Sequence, residues 1–302
     1  MDLALTPEQA ALRDRARRFV TEVLQPHEVA FEQAGGRLPD GVASEVRRAA
    51  TEAGLAGGEL PKAVGGGGWT ALEQILVHEQ YGQVTGGLWS YVPGAYDVLR
   101  HADAAQRTRY LEPSLRGERF GAYAVTEPGA GSDARTLATT ARRDGDGWVL
   151  DGEKWFVTGP DNTDFMVVQA TTDQGPTLFL VDYDMPGVRK TADPAYMHTF
   201  ADHHPQFVLE DVRIPDSQRL GPVGAADELT NDWFVTERLH IGARCAGAME
   251  RLLTLAVAWA TKRVQFGSRI YDFQGVSFPL ADSAADASAA RLLTREAAWL
   301  LD

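Results

Sequence analysis

The chain is poor in the residues that carry several kinds of chemistry. It holds one cysteine, Cys245, so it can form neither an internal disulfide nor a site built of several thiolates. That suits a reducing compartment, and a cytoplasmic location is the expectation. Cations are scarce: 29 Lys and Arg stand against 42 Asp and Glu, a formal net charge of −13. Nucleic acids are gripped by clustered cations, so no nucleic-acid partner is expected. No apolar run approaches the roughly 20 residues that span a bilayer, and no membrane partner is expected. The first residues, Met1-Asp2-Leu3-Ala4-Leu5-Thr6, are acidic and lack the apolar core of a signal peptide. What the chain does have is bulk. Its 302 residues, 44% of them hydrophobic, can bury a large core in more than one domain. This balance fits a protein that handles a small molecule.

The texture of the chain changes twice. Thr6-Pro7-Glu8-Gln9 reads as a helix start, with Thr6 as cap and Gln9 reaching back. Leu12, Ala16, Phe19, Val20 and Val23 follow at helical spacing, and Pro26 is expected to end that helix. Residues 40–54, 70–83, 87–101 and 103–116 also read as helices, and Gly65 to Gly68 as a loop. Near residue 120 the pattern becomes short β-branched or aromatic runs at 120–126, 147–151, 154–158, 164–171, 177–182 and 205–213. Turn signals punctuate them at Asp144-Gly145-Asp146-Gly147 and Pro186-Gly187. Beyond about residue 229 the chain reads helical again. Leu239, Ala243, Ala246, Met249, Leu252, Leu253 and Val257 form one stripe, and 275–301 supplies another. Helices, strands, then helices imply an α+β multidomain chain and not a doubly wound sheet. The expected domains are an N-terminal helical domain at 1–119, a β-barrel or sandwich domain at 120–228, and a C-terminal helical bundle domain at 229–302. The last helix offers Leu292, Ala297, Leu300 and Leu301 on one face with no stop signal, so the C-terminal domain is expected to be truncated.

Three segments carry the candidate chemistry. Val125-Thr126-Glu127-Pro128-Gly129-Ala130-Gly131-Ser132-Asp133 ends a strand in a glycine-rich stretch with two hydroxyls. It can be a plain turn, or a place where backbone presses on a ligand. Gly152-Glu153-Lys154-Trp155-Phe156-Val157-Thr158 is the second segment. Arg263-Val264-Gln265-Phe266-Gly267, with Phe273-Gln274 and Leu280-Ala281-Asp282, is the third. Together, in this order and spacing, they resemble the acyl-CoA dehydrogenase family, and the resemblance runs along nearly the whole chain.

That resemblance implies FAD as cofactor and a place in fatty acid metabolism. It implies the oxidation of an acyl-CoA thioester to the trans-2-enoyl-CoA. A glutamate takes the α-proton and hydride passes from Cβ to the flavin N5. Hydrogen bonds to the thioester oxygen stabilise the developing enolate. Carried over, Tyr123, Val125, Thr126, Gly131 and Ser132 would bind the flavin, with Gly129 and Gly131 allowing close approach. Phe156, Val157 and Thr158 would line its ring, Thr158 near N5. Many relatives have Trp where Phe156 stands, so the indole N–H is lost. Arg263, Gln265, Phe266, Phe273 and Gln274 would hold the pyrophosphate and adenosine across a subunit contact, implying a homodimer or homotetramer. Glu127 and Asp133, acids in a turn, are expected to cap N–H groups.

The base lies outside these three segments. The late Glu-Gly-Thr segment of many relatives is absent from these residues. Isovaleryl-CoA and long-chain acyl-CoA dehydrogenases place the glutamate on an earlier helix, directly before an arginine, and Glu237-Arg238 matches that pair. Glu237 is therefore the expected catalytic base, opening an apolar helix, with Arg238 and Ser132 toward the substrate. Asp232 and Glu250 are weaker candidates. The substrate partner is an acyl-CoA or acyl-carrier thioester, and the expected electron acceptor an electron-transfer flavoprotein. Two alternatives stay open: an acyl-CoA oxidase of the same fold, and a non-catalytic partner subunit of a hetero-oligomer. His203 and His204, adjacent in an extended stretch, point to opposite sides with no third ligand near, so no metal is expected. Cys245 reads as a small core residue.

Overall fold

A computed structural model describes residues 4–159, 163–197 and 203–302. The described residues fall into two compact units. One comprises 4–29, 69–89 and 235–302; the other comprises 30–68 and 90–234. None of the described helices is long and apolar enough to cross a membrane.

The second unit is built on an eight-stranded sheet. Its strands are β1 (Gly121–Ala124), β2 (Thr140–Asp144), β3 (Gly147–Lys154), β4 (Phe165–Thr172), β5 (Gly175–Asp182), β6 (Val188–Ala192), β7 (Gln206–Pro215) and β8 (Arg219–Leu220). They run in the order β6-β7-β3-β2-β4-β5-β8, with β1 also on β4. Side chains alternate across the pleat. Tyr123, Phe165, Val167, Leu178 and Leu180 bury one face with Leu99, Tyr110, Leu111 and Leu229. Met166, Val168, Phe179 and Val181 bury the other with Trp148, Leu150, Leu209 and Ile214. The sheet thus folds over, β4 and β5 packing onto β3 and β7, as a β-barrel or sandwich layer does.

One expected strand differs, and two strands, β2 and β6, lie outside the expected runs. Only Lys154 of the 154–158 run lies in a strand, for reasons given with the site below. β2 and β6 escape the apolar pattern because they are polar: β6 is an edge, and Ala141 is the one buried residue of β2. Helix expectations differ where proline intervenes. Pro26 does not end the first helix. After Pro7–Phe19 the chain widens into a π turn, Val20–Leu24, and continues through Gln25–His27 into Glu28–Gln33. The wider turn bonds the Gln25 N–H to the Val20 carbonyl, so the missing proline donor is absorbed. The same device recurs at Arg107–Leu111, just before Pro113. Residues 87–101, expected as one helix, are two 3₁₀ turns, Leu88–Tyr91 and Asp97–His101, separated around Pro93-Gly94.

Asp216 closes the turn between β7 and β8. It accepts from Arg219 Nε at 3.1 Å and Trp148 Nε1 at 2.8 Å. The Arg219 bonds first, then that of Trp148, outweigh burial and hold its carboxyl down at about 2, against an ordinary 3.8. A depressed carboxylate stabilises the fold above its unfolded value and loses that contribution as pH falls through the folded one. Thermal unfolding between pH 4 and 2 should therefore depend less on pH in Asp216→Asn than in wild type; parallel curves would refute this.

The first unit is helical. Thr6 and Thr70 both complete capping boxes, with Gln9 and Glu73. Helix Ala71–Tyr81 meets helix Ala226–Ala260 at unusually short range. A Cβ on Gly82 would lie 2.0 Å from the Arg244 carbonyl, and one on Gly247 1.8 Å from that of Glu79. Only glycine permits this crossing. The last helix, Gln274–Leu301, turns Ala287 and Ala298 inward, while Arg291 and Arg295 pair with buried Glu79. Its leucines, Leu292, Leu300 and Leu301, are exposed. Cys245 is exposed as well, not in the core, because the inward positions of its helix are Ala243 and Ala246.

Candidate functional site

The first two motifs come together in the second unit. β1 and β2 occupy the same edge of β4, at Phe165–Val168 and at Thr171. Residues 125–139 are the excursion between them. The excursion is stapled to the end of β3. Trp155 N–H donates to the Thr126 carbonyl at 2.8 Å, and Lys154 Nζ donates to the Val125 carbonyl at 3.1 Å. Lys154 Nζ also lies 2.6 Å from Glu127 Oε1, and both side chains are buried. Glu127 Oε2 takes the Ala138 N–H at 2.6 Å and Oε1 the Thr139 N–H at 3.1 Å. Burial pushes Lys154 down to about 8, against the pull of Glu127. Burial opposes the charge of Glu127 too, but the Lys154, Thr139 and Ala138 bonds together keep its carboxyl below the ordinary range. Glu127 thus caps N–H groups as expected, and it also forms an ion pair that sequence reasoning missed. Asp133 is exposed and bonds the Arg135 N–H and guanidinium.

The staple explains why 155–158 leaves the sheet. Phe156 takes a left-handed conformation, φ +53°, which costs a bulky residue about 1–3 kcal/mol. Its neighbours bond elsewhere: Val157 N–H to the Pro205 carbonyl at 3.0 Å, and Gly159 N–H to that of His203 at 3.2 Å. Val157 is buried, while the Phe156 ring is 46% exposed. Thr158 is exposed beside it, and its hydroxyl lies 2.8 Å from His204 Nδ1. Gly129 and Gly131 have open space where a Cβ would stand. Ser132 lines a cavity of about 400 Å³ with Arg135, Gln169, Asp227, Thr230 and Phe234. Tyr123 differs from its neighbours. Its ring stacks on Trp233 at 4.2 Å and its hydroxyl meets Thr230 Oγ1 at 2.9 Å. Its side chain is committed internally, and burial pushes its hydroxyl far above the ordinary range.

Glu237 and the third motif lie in the first unit. Glu237 does not open its helix; the helix begins at Ala226, and Glu237 sits in its interior. Arg244, two turns on, donates to Glu237 Oε1 at 2.5 Å. The guanidinium lies over Trp89 at 4.3 Å and 3.0 Å from His78 Nδ1. Arginine only donates, so that nitrogen accepts. His78 stacks on His240 at 3.8 Å, and His240 Nδ1 is 4.0 Å from Glu237 Oε2. Arg238, the neighbour of Glu237, is exposed. Sequence reasoning missed Arg244; its spacing of seven from Glu237, two turns on one helix face, was the available signal.

The third motif forms a small hairpin, Val264–Gln265 with Ser268–Arg269. Arg263, Gln265, Phe266, Phe273 and Gln274 are all exposed, and the Phe266 and Phe273 rings are 6.4 Å apart. From Glu237 to the end of its helix at Ala260 is about 35 Å at the helical rise. The fold therefore does not bring these residues to Glu237 within one chain.

Comparison with known proteins agrees with this layout. The acyl-CoA dehydrogenase N-terminal domain profile matches residues 6–118, the middle domain profile 122–212 and the C-terminal domain profile 228–302. Benzylmalonyl-CoA dehydrogenase of Aromatoleum aromaticum is 33% identical over 100% of this chain and 81% of its own length. A subunit of the caffeyl-CoA reductase–Etf complex of Acetobacterium woodii is 31% identical over 96% of this chain and 78% of its own. The solved FAD complex of PigA superposes with a TM-score of 0.89 at 27% identity, covering 99% of this chain and 80% of that one.

Proposed function

Because the chain belongs to the acyl-CoA dehydrogenase family, we propose that it oxidises an acyl thioester across Cα–Cβ, with Glu237 as the base. FAD is the cofactor. When bound, it supplies the two-electron acceptor. The residues present fit it. Phe156 offers an exposed ring on a fixed backbone, and Gly129 and Gly131 leave room above the excursion. Thr126, Ser132 and Thr158 supply hydroxyls beside the backbone of Tyr123, Val125, Gly131 and Val157. Arg263, Gln265, Phe266, Phe273 and Gln274 would serve the adenosine and pyrophosphate half of a cofactor held by a second copy. The forked donors of arginine suit a pyrophosphate.

The single observation that carries the proposal is the stapling of 125–127 to 154–155 by the buried Glu127–Lys154 pair. It holds together two segments that the sequence separates and that the proposal assigns to the flavin. Glu237 would take the α-proton, and Ser132 and Arg238 would hold the thioester. Self-association is supported by the exposed apolar side chains of the last two helices, Leu252, Leu255, Trp259, Phe278, Leu293 and Leu300, each more than half exposed. The electron acceptor is proposed to be an electron-transfer flavoprotein, as the name of the Acetobacterium woodii relative indicates for that complex.

Relatives work in both directions, as dehydrogenase and as reductase, so the test must read direction. Protein purified with FAD is mixed anaerobically with saturated acyl-CoA thioesters of varied length and branching. Bleaching of the flavin band by at least one is expected. No bleaching by any thioester, or no retained FAD, would overturn the proposal. Rapid recovery of the band in air alone would favour an oxidase.

A further inference from the structure

Thr158 has a crowded hydroxyl. Its oxygen lies 3.2 Å from the Phe156 carbonyl and 2.8 Å from His204 Nδ1. The Phe156 carbonyl already accepts the Thr158 N–H at 2.8 Å. A hydroxyl has one proton to give and can accept two. If His204 Nδ1 is bare, the shorter bond takes that proton, and Thr158 shows only lone pairs to a bound ligand. If Nδ1 carries a hydrogen, the imidazole donates, and the Thr158 proton is held only by the long bond to the Phe156 carbonyl at 3.2 Å, which a ligand's acceptor can displace.

His204 is held in place for this. The bonds from Val157 and Gly159 to the carbonyls of Pro205 and His203 flank Thr158 on both sides. The Tyr196 ring meets His204 edge-on at 5.3 Å, and Tyr196 also contacts the Phe156 ring at 5.9 Å. We propose that His204 is a positioning residue: its Nδ1–H donates to Thr158 Oγ1, so that the Thr158 proton, otherwise on the long bond to the Phe156 carbonyl, can turn to an acceptor nitrogen of the bound flavin ring. The inference rests on the reading that Thr158 faces the flavin.

The test uses the FAD-loaded protein and two readouts, the absorption spectrum of the oxidised flavin and its rate of reduction by thioester. Asn and Asp can each put a polar atom near the place of Nδ1, but only Asn has an N–H. His204→Ala and His204→Asp should slow reduction about tenfold, the worth of one hydrogen bond, with KM unchanged. Both should shift the flavin band as Thr158→Val does, and His204→Asn should restore it. The double variant Thr158→Val/His204→Ala should be no slower than Thr158→Val alone, since His204 acts through that hydroxyl. Additive losses, or a spectrum unmoved by His204→Ala and His204→Asp, would overturn the inference while leaving the proposed reaction standing. A wild-type protein that retains no FAD, or whose flavin no thioester bleaches, would remove the reaction and the role of His204 together.

Discussion

Lys154→Met should destabilise the protein by about 3–5 kcal/mol, because it leaves a buried carboxylate without its cation. Lys154 is fully buried, 2.6 Å from Glu127, and donates also to the Val125 carbonyl. Methionine matches the stem but restores neither bond. The double variant Lys154→Met/Glu127→Gln should recover most of the loss. Glu127 Oε2 alone lies 2.6 Å from the Ala138 N–H and 3.3 Å from that of Thr139, so one amide oxygen can serve both. Glu127→Leu should recover far less, since it orphans two buried donors. Denaturant unfolding of the four proteins measures this. Equal loss in Lys154→Met and the Gln double variant would show that the charge itself was not the cost. Retained FAD is a second measure, since the same pair holds 125–127 against 154–155.

Residues fell into legible and illegible classes for physical reasons. Helix starts at Thr6 and Thr70 were readable because caps are local, with donor and acceptor three residues apart. β4 and β5 were readable because each carries an apolar run buried on both faces, Phe165 to Val168 and Leu178 to Val181. β2 and β6 were not, because a polar strand carries no apolar period. The π turns were invisible because their signal is a proline, which ordinarily argues for a break. In the site, the motif residues were legible by resemblance, but the ion pair joining them spans 27 positions, and nothing in a sequence pairs Glu127 with Lys154. His204 was judged only as a metal ligand. It also shares a hydrogen bond with Thr158, 46 positions away.

Glu237→Gln should slow flavin reduction by thioester about 10²–10⁴-fold, the usual worth of a general base, while FAD stays bound. The substitution keeps the shape of the side chain and an oxygen for Arg244, and removes only the ability to take a proton. The structure makes this test demanding. Glu237 is already in an ion pair at 2.5 Å, with a guanidinium buttressed by Trp89 and His78. A purely structural pair predicts the opposite outcome: lower stability in Glu237→Gln, with reduction at the wild-type rate. The other carboxylates supply the control. Glu250 is paired with Arg291, so Glu250→Gln should leave reduction within a few-fold of wild type. If the Glu250 or Asp232 variant is the one that loses reduction, the base is there. If Glu237→Gln alone loses it, Arg244 gains a role too. The Arg244 bond at 2.5 Å, with that guanidinium set by Trp89 and His78, fixes where the Glu237 carboxylate lies. Arg244→Lys should then keep more of the rate than Arg244→Met.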